Sequence, residues 1–195
     1  MEQLRRGDWL VATIALAQAD ELVTRLHYAA GGANTATFRH GLFRREDYPM
    51  IVAGAAWWIP PTRNAATATF PEGEWQRVLA LSRFVLEPAV PKNGATFLLA
   101  RSTRLIEQSG HWDCLVTYAD EWQGHTGTIY RAAGWEYVGL TKPERVYVRD
   151  GVMVARKAGP TTRTHAEMLA LGAECVGSFA KHKFRKVIRI RQAQA

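Results

Sequence analysis

Apolar residues along this 195-residue chain fall into runs separated by polar, proline- and glycine-marked breaks. The period within each run distinguishes helices from strands. Residues 9–27 place Leu16, Val23 and Leu26 on one side of a helix, with Asp8 as its N-cap and Gly31-Gly32 closing it. Phe38 to Phe43 and Met50 to Trp58 read as two strands joined by the charged turn Arg44-Arg45-Glu46-Asp47. Pro60-Pro61 forbids further pairing and opens a polar loop to about residue 74. The run Val78 to Leu86 is long and apolar enough for a central strand, which Pro88 and Pro91 terminate. Asn93-Gly94 then opens a helix from Ala95 to about Glu107, with Leu98, Leu99 and Ile106 supplying its apolar faces.

The next run is the most informative. An apolar strand, Cys114 to Tyr118, leads into Asp120, a turn bearing Gly124 and His125, and a short helix that carries Tyr130 and stops at Gly134. A carboxylate ending such a strand stands at the carboxyl edge of a sheet, where mixed α/β folds place chemistry. Trp135 to Leu140 reads as another strand, and Val146–Arg149 and Val152–Ala155 flank Asp150-Gly151, a strong hairpin signal. Thr164 can cap a last helix over 165–173, and the alternating tail from Lys181 to Ile190 reads as a basic edge strand. With no repeat and no low-complexity linker, one domain over 1–195 is expected. Its core covers about 9–160, with a C-terminal helix and basic strand over about 161–195.

Composition adds a partner to this picture. A hydrophobic content of 47% excludes a disordered chain, and a formal net charge of +7 favours an acidic partner, nucleic acid first. Cys114 and Cys175 have neither metal-type spacing nor a disulfide framework, and Cys114 lies in an apolar strand as a structural thiol. This usage fits a reducing cytoplasm, in a bacterial host. Arg5-Arg6 followed by the apolar run from Trp9 to Ala19 imitates a signal peptide, but Glu2 and Asp8 dilute its basic end. No apolar run approaches the roughly 20 residues that span a bilayer, so no membrane association is expected.

The order helix, two strands, long strand, helix, strand, helix, strand resembles the GNAT N-acyltransferases. That resemblance implies an α/β (α+β) fold with a mixed, mostly antiparallel central sheet flanked by helices, here with a C-terminal hairpin and a basic edge strand. It also implies a thioester held between two splayed strands, with acetyl-CoA or another acyl donor as cofactor. The contacts would fall at Ser82, Phe84, Asn93, Gly94, Ala95 and Thr96. Tyr130-x-x-x-Gly134-Trp135 is similar to the family's helix-to-strand ending, where the tyrosine often protonates a departing thiolate. The coenzyme loop departs from the usual Arg/Gln-x-x-Gly-x-Gly/Ala, since Pro91 stands first and Thr96 last around Gly94.

Four pieces together narrow the resemblance. They are Glu21-Leu22-Val23 followed by His27-Tyr28; Gly41-Leu42-Phe43; Leu81-Ser82-Arg83-Phe84; and Tyr118-Ala119-Asp120-x-x-Gln123-Gly124-His125-x-Gly127-x-x-Tyr130-Arg131-Ala132. In this order, over roughly residues 14–140, the chain resembles the Mom family of phage DNA-modification proteins. Members alter the exocyclic amine of adenine in duplex DNA, adding a small amide-containing substituent that shields phage DNA from restriction. The resemblance implies His27, Tyr28 and Asp120 as the catalytic set, linked in this family to Fe(II), with Arg83 and Tyr130 close by.

The chemistry is consistent with those positions. An adenine amine is delocalised into its ring, so Asp120 could take its proton or orient it, and Arg83 could stabilise developing negative charge. Each residue also has a duller role: His27 as a helix-end cap, Asp120 as an N-cap, Tyr130 as core, Arg83 as partner to a buried carboxylate. A full Fe(II) triad wants a second histidine, and His125 and His40 both remain candidates. Duplex adenine must leave the stack to be reached, so Trp57 and Trp58 are expected to stack on the base. Lys181, Lys183, Arg185 and Lys186 are expected to contact phosphates. Exposed edge strands could pair two copies into a homodimer. Two rivals stand beside this reading: an acetyl-CoA-dependent N-acetyltransferase of a small amine or protein, and a non-catalytic DNA-binding accessory protein.

Overall fold

The computed structural model describes residues 2–28, 36–158 and 161–189. Strand β1, Trp9–Thr13, precedes helix α1, Leu16–Leu26, which leads to strands β2, Phe38–Arg44, and β3, Gly54–Ile59. Helix α2, Arg63–Thr69, comes before the long strand β4, Val78–Leu86, and helix α3, Gly94–Gln108. Strand β5, Cys114–Asp120, is followed by helix α4, Thr128–Ala132, and strand β6, Glu136–Leu140. An excursion then carries β7 (Glu144–Arg149), β8 (Val152–Met153), β9 (Lys157–Ala158), β10 (Thr161–Thr162), helix α5 (His165–Ala170) and β11 (Glu174–Phe179). Strand β12, Lys181–Val187, ends the described chain's regular structure.

Seven strands form the central sheet in the order β1-β2-β3-β4-β5-β12-β6, with β4–β5 the parallel pair. Helices α3 and α4 cover one face through Leu98, Leu99, Ile106 and Tyr130 against Leu42, Trp58, Leu79 and Leu115. The alternate positions of the same strands point the other way. There α1 packs Leu22 and Val23 on Ala55, Trp57 and Val85, and α2 packs Ala66 with Phe70 on Val78, Ala80, Cys114 and Val116. Cys114 is buried as a structural thiol, its pKa pushed up to about 12 by desolvation. The hairpin at Asp150-Gly151 forms as expected, pairing Val148 with Met153. It belongs to a second, three-stranded sheet, β11-β7-β8, whose small core is Tyr147, Met168 and Ala173.

Three expectations are corrected. The helix over 9–27 is a strand followed by a shorter helix: Trp9 to Thr13 pairs antiparallel with His40 to Arg44, which buries Trp9 and satisfies the backbone across the sheet. Asp8 ends a 3-10 turn instead, and the N-terminal turn of α1 is closed by Gln18, whose Oε1 accepts the Ala15 N–H at 3.1 Å. Gly31-Gly32, expected to end this helix, lies outside the described residues. The loop after Pro60-Pro61 contains α2, capped by Thr62, whose hydroxyl accepts the Ala65 N–H at 3.4 Å. The basic strand β12 is not an edge. It lies between β5 and β6, hydrogen-bonded on both sides, with Phe184 fully buried. Among the described residues no helix is long and apolar enough to cross a membrane.

Candidate active site

The site exists because two strands part. β4 and β5 pair only from Val78↔Cys114 to Leu81↔Thr117, although both strands run further. On its other side β4 carries a bulge: Trp57 faces Arg83 and Trp58 faces Leu81, so Ser82 is the extra residue. Beyond Leu81 the β4 edge that faces β5 therefore has no ladder partner. A cleft of about 530 Å³ opens there, lined by Ser82, Phe84 and Ala95 on one wall and by Tyr118, Ala119 and Tyr130 on the other.

Asp120 closes β5 at the rim. It is 5% exposed, and its Oδ1 accepts the Trp122 N–H at 3.2 Å, so the duller capping role is real. Its second oxygen does other work: Oδ2 accepts the Tyr28 hydroxyl at 3.4 Å and lies 3.2 Å from the Lys181 ammonium. Register places Lys181 there, since it stands directly opposite Asp120 in the β12–β5 ladder. No local signal in the sequence could have joined these two residues.

His27 and Tyr28 leave the C-terminal end of α1 with their rings stacked at 4.4 Å. Burial, then the charges of Arg83 and His125, lower the His27 pKa to about 4, which leaves a neutral imidazole at pH 7. Burial and then the Asp120 carboxylate push the Tyr28 phenol up to about 12, so it keeps its proton. Arg83 lies on the same face of the sheet, donating from Nη1 to the Ser82 carbonyl at 2.9 Å, and burial lowers its pKa. Tyr130 is 7% exposed, and burial raises its pKa against the opposing hydrogen bond with Thr117. Gly127, at φ +75°, lets the loop turn into α4, and any Cβ there would stand 2.2 Å from the Phe184 ring. His27, Tyr28 and Tyr130 thus line one cleft, and Asp120 and Arg83 act on Tyr28 from beside it.

The expected cofactor residues divide. Ser82, Phe84 and Ala95 line the cleft, whereas Asn93 and Thr96 line a separate groove on the flank of α3. Gly94 is buried against Val90, whose Cγ1 would be 2.2 Å from an added Cβ. The residues of the cleft fit an extended acyl carrier, because the parted β4 edge offers unpaired backbone groups beside Tyr130.

They fit Fe(II) poorly. Among the described residues no three or more of His, Cys, Asp and Glu gather as a metal cage. Asp120 Oδ2 already faces the Lys181 ammonium. Of the two further histidines, His125 lines the cleft, but His40 is 2% exposed beneath α3, with Nδ1 2.7 Å from Ser102 Oγ. Burial lowers the His40 pKa from 6.5 to about 4. The unfolded chain therefore binds a proton in this window that the folded chain refuses. Stability is complete above pH 6.5 and falls as the pH drops toward about 4. At pH 5 the loss from this one group is roughly 2 kcal/mol, about 4–8 °C in melting temperature. Thermal melts at pH 7.5 and pH 5 check this, and His40→Gln is expected to flatten the difference in part, because His27 shares the same sign.

Two of the expected nucleic-acid contacts, Trp57 and Trp58, are corrected, and the four cations are half-buried on β12. Trp57 and Trp58 are 1% and 0% exposed on opposite faces of the sheet, so neither is open to a base. Arg185 is ion-paired with Glu72 and Glu136, and Lys186 Nζ donates to the Ala133 carbonyl. Lys181 serves Asp120, and Lys183 is half-buried on the same internal strand. Ile190 and Arg191, at the end of the expected basic tail, lie outside the described residues.

A family model described as the Mom protein family matches residues 8–193. Solved structures share the fold. The ribosomal-protein-S18-alanine N-acetyltransferase from Escherichia coli aligns with a TM-score of 0.54 at 12% identity, over 96% of this chain and 98% of its own. An acetyltransferase of the GNAT family from Streptococcus pneumoniae aligns at 0.53 and 12% identity, over 93% and 99%. A Bacillus subtilis acetyltransferase in complex with CoA aligns at 0.51 and 7% identity, over 92% and 97%. Comparison with curated protein sequences returns no match.

Proposed function

Because this chain belongs to the Mom protein family and is built on the GNAT fold, we propose that it modifies the exocyclic N6 amine of adenine in double-stranded DNA. The product is a small amide-containing substituent of the acetamido or methylcarbamoyl type, and its role is protection from restriction. The observation that carries this reading is the buried Asp120 carboxylate at the end of β5, held by Tyr28 and Lys181, with Tyr28 and a protonated Tyr130 lining the adjoining cleft.

An acyl-CoA-type donor, when bound, supplies an activated carbon to the cleft beside Ser82, Phe84 and Ala95. The chain's own residues do the rest. An N6 amine is a poor nucleophile until it gives up a proton, and Asp120 Oδ2 is the acceptor at the rim. Tyr28 and Lys181 fix that oxygen, so the carboxylate does not reorganise as the amine approaches. The Tyr130 phenol holds the proton that a departing group requires. Arg83 brings a positive charge to the same face, next to neutral His27. Base extrusion brings the amine to this site.

The test is a plasmid grown with the expressed protein, digested to nucleosides and weighed by mass spectrometry. A deoxyadenosine of increased mass is expected. Unmodified deoxyadenosine beside soluble, folded protein rejects the reading, and acylation of a small amine in the same extract would replace it. Tyr130→Phe is expected to lower the modification rate by about 100-fold with its melting temperature nearly unchanged. An unchanged rate removes Tyr130 from the proton path.

A further inference from the structure

The segment between β6 and β12 forms a small sheet of its own, and it leaves and rejoins the central sheet beside Asp120. The Thr141 N–H donates to the Lys181 carbonyl and the Lys181 N–H to the Thr141 hydroxyl, both at 2.9 Å. The Ala180 N–H donates to Glu121 Oε2 at 3.1 Å, and Lys181 is the residue that faces Asp120. β7 runs away from this junction and β8 runs back along it. Val152 stands opposite Arg149, Met153 opposite Val148, and the Val154 N–H donates to the Tyr147 carbonyl. Tyr147 is three residues, roughly 10 Å, from the start of β7. The chain thus returns toward Asp120 before it enters the β9–β10 hairpin.

That hairpin gathers positive charge. From Gly151 to Ala166 the sequence has no Asp or Glu, and it carries Arg156, Lys157 and Arg163. Lys157 pairs with Thr162 across the two strands. The Arg163 N–H donates to the Arg156 carbonyl at 2.9 Å, which sets the two arginines opposite each other. Each guanidinium is fixed by a main-chain oxygen of the other arm: Arg156 Nε donates to the Arg163 carbonyl at 3.1 Å, and Arg163 Nη1 to the Ala155 carbonyl at 3.3 Å. Like charges facing each other across two strands repel. Among the described residues no carboxylate comes within 4.0 Å of Arg156, Lys157 or Arg163, whereas Arg149 on β7 reaches Asp150. The next acid along the chain, Glu167, already accepts the Thr164 N–H at 2.6 Å and the Thr164 hydroxyl at 2.9 Å. A repelling pair held in place without a counter-charge calls for an anion from outside.

We infer that the β9–β10 hairpin is a ribbon that lies in a groove of double-stranded DNA, with Arg156, Lys157 and Arg163 on its phosphates, and that it holds the duplex beside Asp120. The inference rests on the DNA acceptor of the function proposed above and not on its donor. A two-stranded ribbon fits the roughly 12 Å major groove of B-form DNA, whereas the major groove of duplex RNA is too narrow for it. Phosphates border that groove on both sides, and the hairpin has cations on both arms: Arg156 and Lys157 on one, Arg163 on the other. The exposed Thr162, opposite Lys157, adds a hydroxyl of the kind that bonds phosphate oxygens. β12 is a poorer platform, because its cations lie half-buried within the central sheet.

The experiment is fluorescence anisotropy of the full chain with a short labelled DNA duplex, its single strand and an RNA duplex of the same sequence, from about 50 to 200 mM salt. Wild type is compared with Arg156→Gln/Lys157→Gln and with Arg101→Gln/Arg104→Gln, which removes the same charge from an exposed flank of α3. Wild type is expected to prefer the DNA duplex. The hairpin variant is expected to lose about tenfold or more in duplex affinity, with a salt slope shallower by about two. The α3 variant is expected to stay within about twofold of wild type. Thermal melts check folding, and Lys157→Glu, a change at an exposed side chain, takes the place of the double variant if that one melts early. Wild-type affinity and slope in the hairpin variants overturn the inference, as does a wild type without duplex affinity. Equal weakening by the α3 variant overturns it by reducing the effect to net charge. Equal or tighter binding of the single strand or the RNA overturns it too. If nucleosides prove unmodified while the hairpin effect persists, only the adenine chemistry falls. If they are modified while the hairpin variants bind like wild type, this inference alone falls.

Discussion

Asp120→Asn is expected to lower adenine modification by about 100- to 10,000-fold while the protein still folds and melts within a few degrees of wild type. Asparagine keeps an oxygen for the Trp122 N–H, which is the local, structural duty of this residue. It loses the negative charge at Oδ2, on which Tyr28 and Lys181 converge. The Lys181 side chain is 44% exposed, so its ammonium is solvated when the carboxylate is gone, and the stability change stays at about 0–1 kcal/mol. Nucleoside mass spectrometry reads the activity and circular dichroism the fold. Activity within about tenfold of wild type would show that Asp120 only caps the turn that follows it.

The second large effect is on stability. Trp58→Ala should cost about 3–5 kcal/mol, which corresponds to a fall of roughly 6–20 °C in melting temperature for a chain of this size. Trp58 is fully buried, stacks with Trp135 at 6.3 Å between ring centres, and donates from Nε1 to Ser102 Oγ at 2.7 Å. Truncation opens a cavity beneath α3 and removes the donor from the Ser102–His40 pair. DNA affinity per folded molecule should be unchanged. A variant that melts like wild type but binds DNA poorly would restore the base-stacking role that burial now denies it.

Much of the fold was legible because its elements announce themselves locally. The Val78–Leu86 run is a central strand, the Asn93-Gly94 signal opens α3, and Asp150-Gly151 turns a hairpin. Where expectations failed, the missing information was a partner. The run Trp9–Thr13 is apolar enough for either period, and only its pairing with β2 selects a strand. Helix α2 has seven residues, too few for a periodic pattern to register against the prolines before it. β12 alternates as an edge strand would, yet it returns after an excursion of some forty residues to lie between β5 and β6.

The site shows the same division. His27, Tyr28, Arg83, Asp120 and Tyr130 were named from the sequence through its resemblance to the Mom family, and the strand-end position of Asp120 was consistent with proton transfer. The family match extends the assignment to residues 8–193. The place of Lys181 opposite Asp120 was not foreseen, since nothing within a few residues of a cation says whether an acid will stand beside it. By itself the sequence determined the strand that ends in a carboxylate, the helix that brings back a tyrosine, and an excess of positive charge. The tertiary structure decided where β4 and β5 part, which residue faces Asp120 across the ladder, and which cations are left for an anion. Those outcomes depend on strand register and on contacts between distant segments, and a charge or an aromatic ring acquires its role only from the neighbour that such contacts supply.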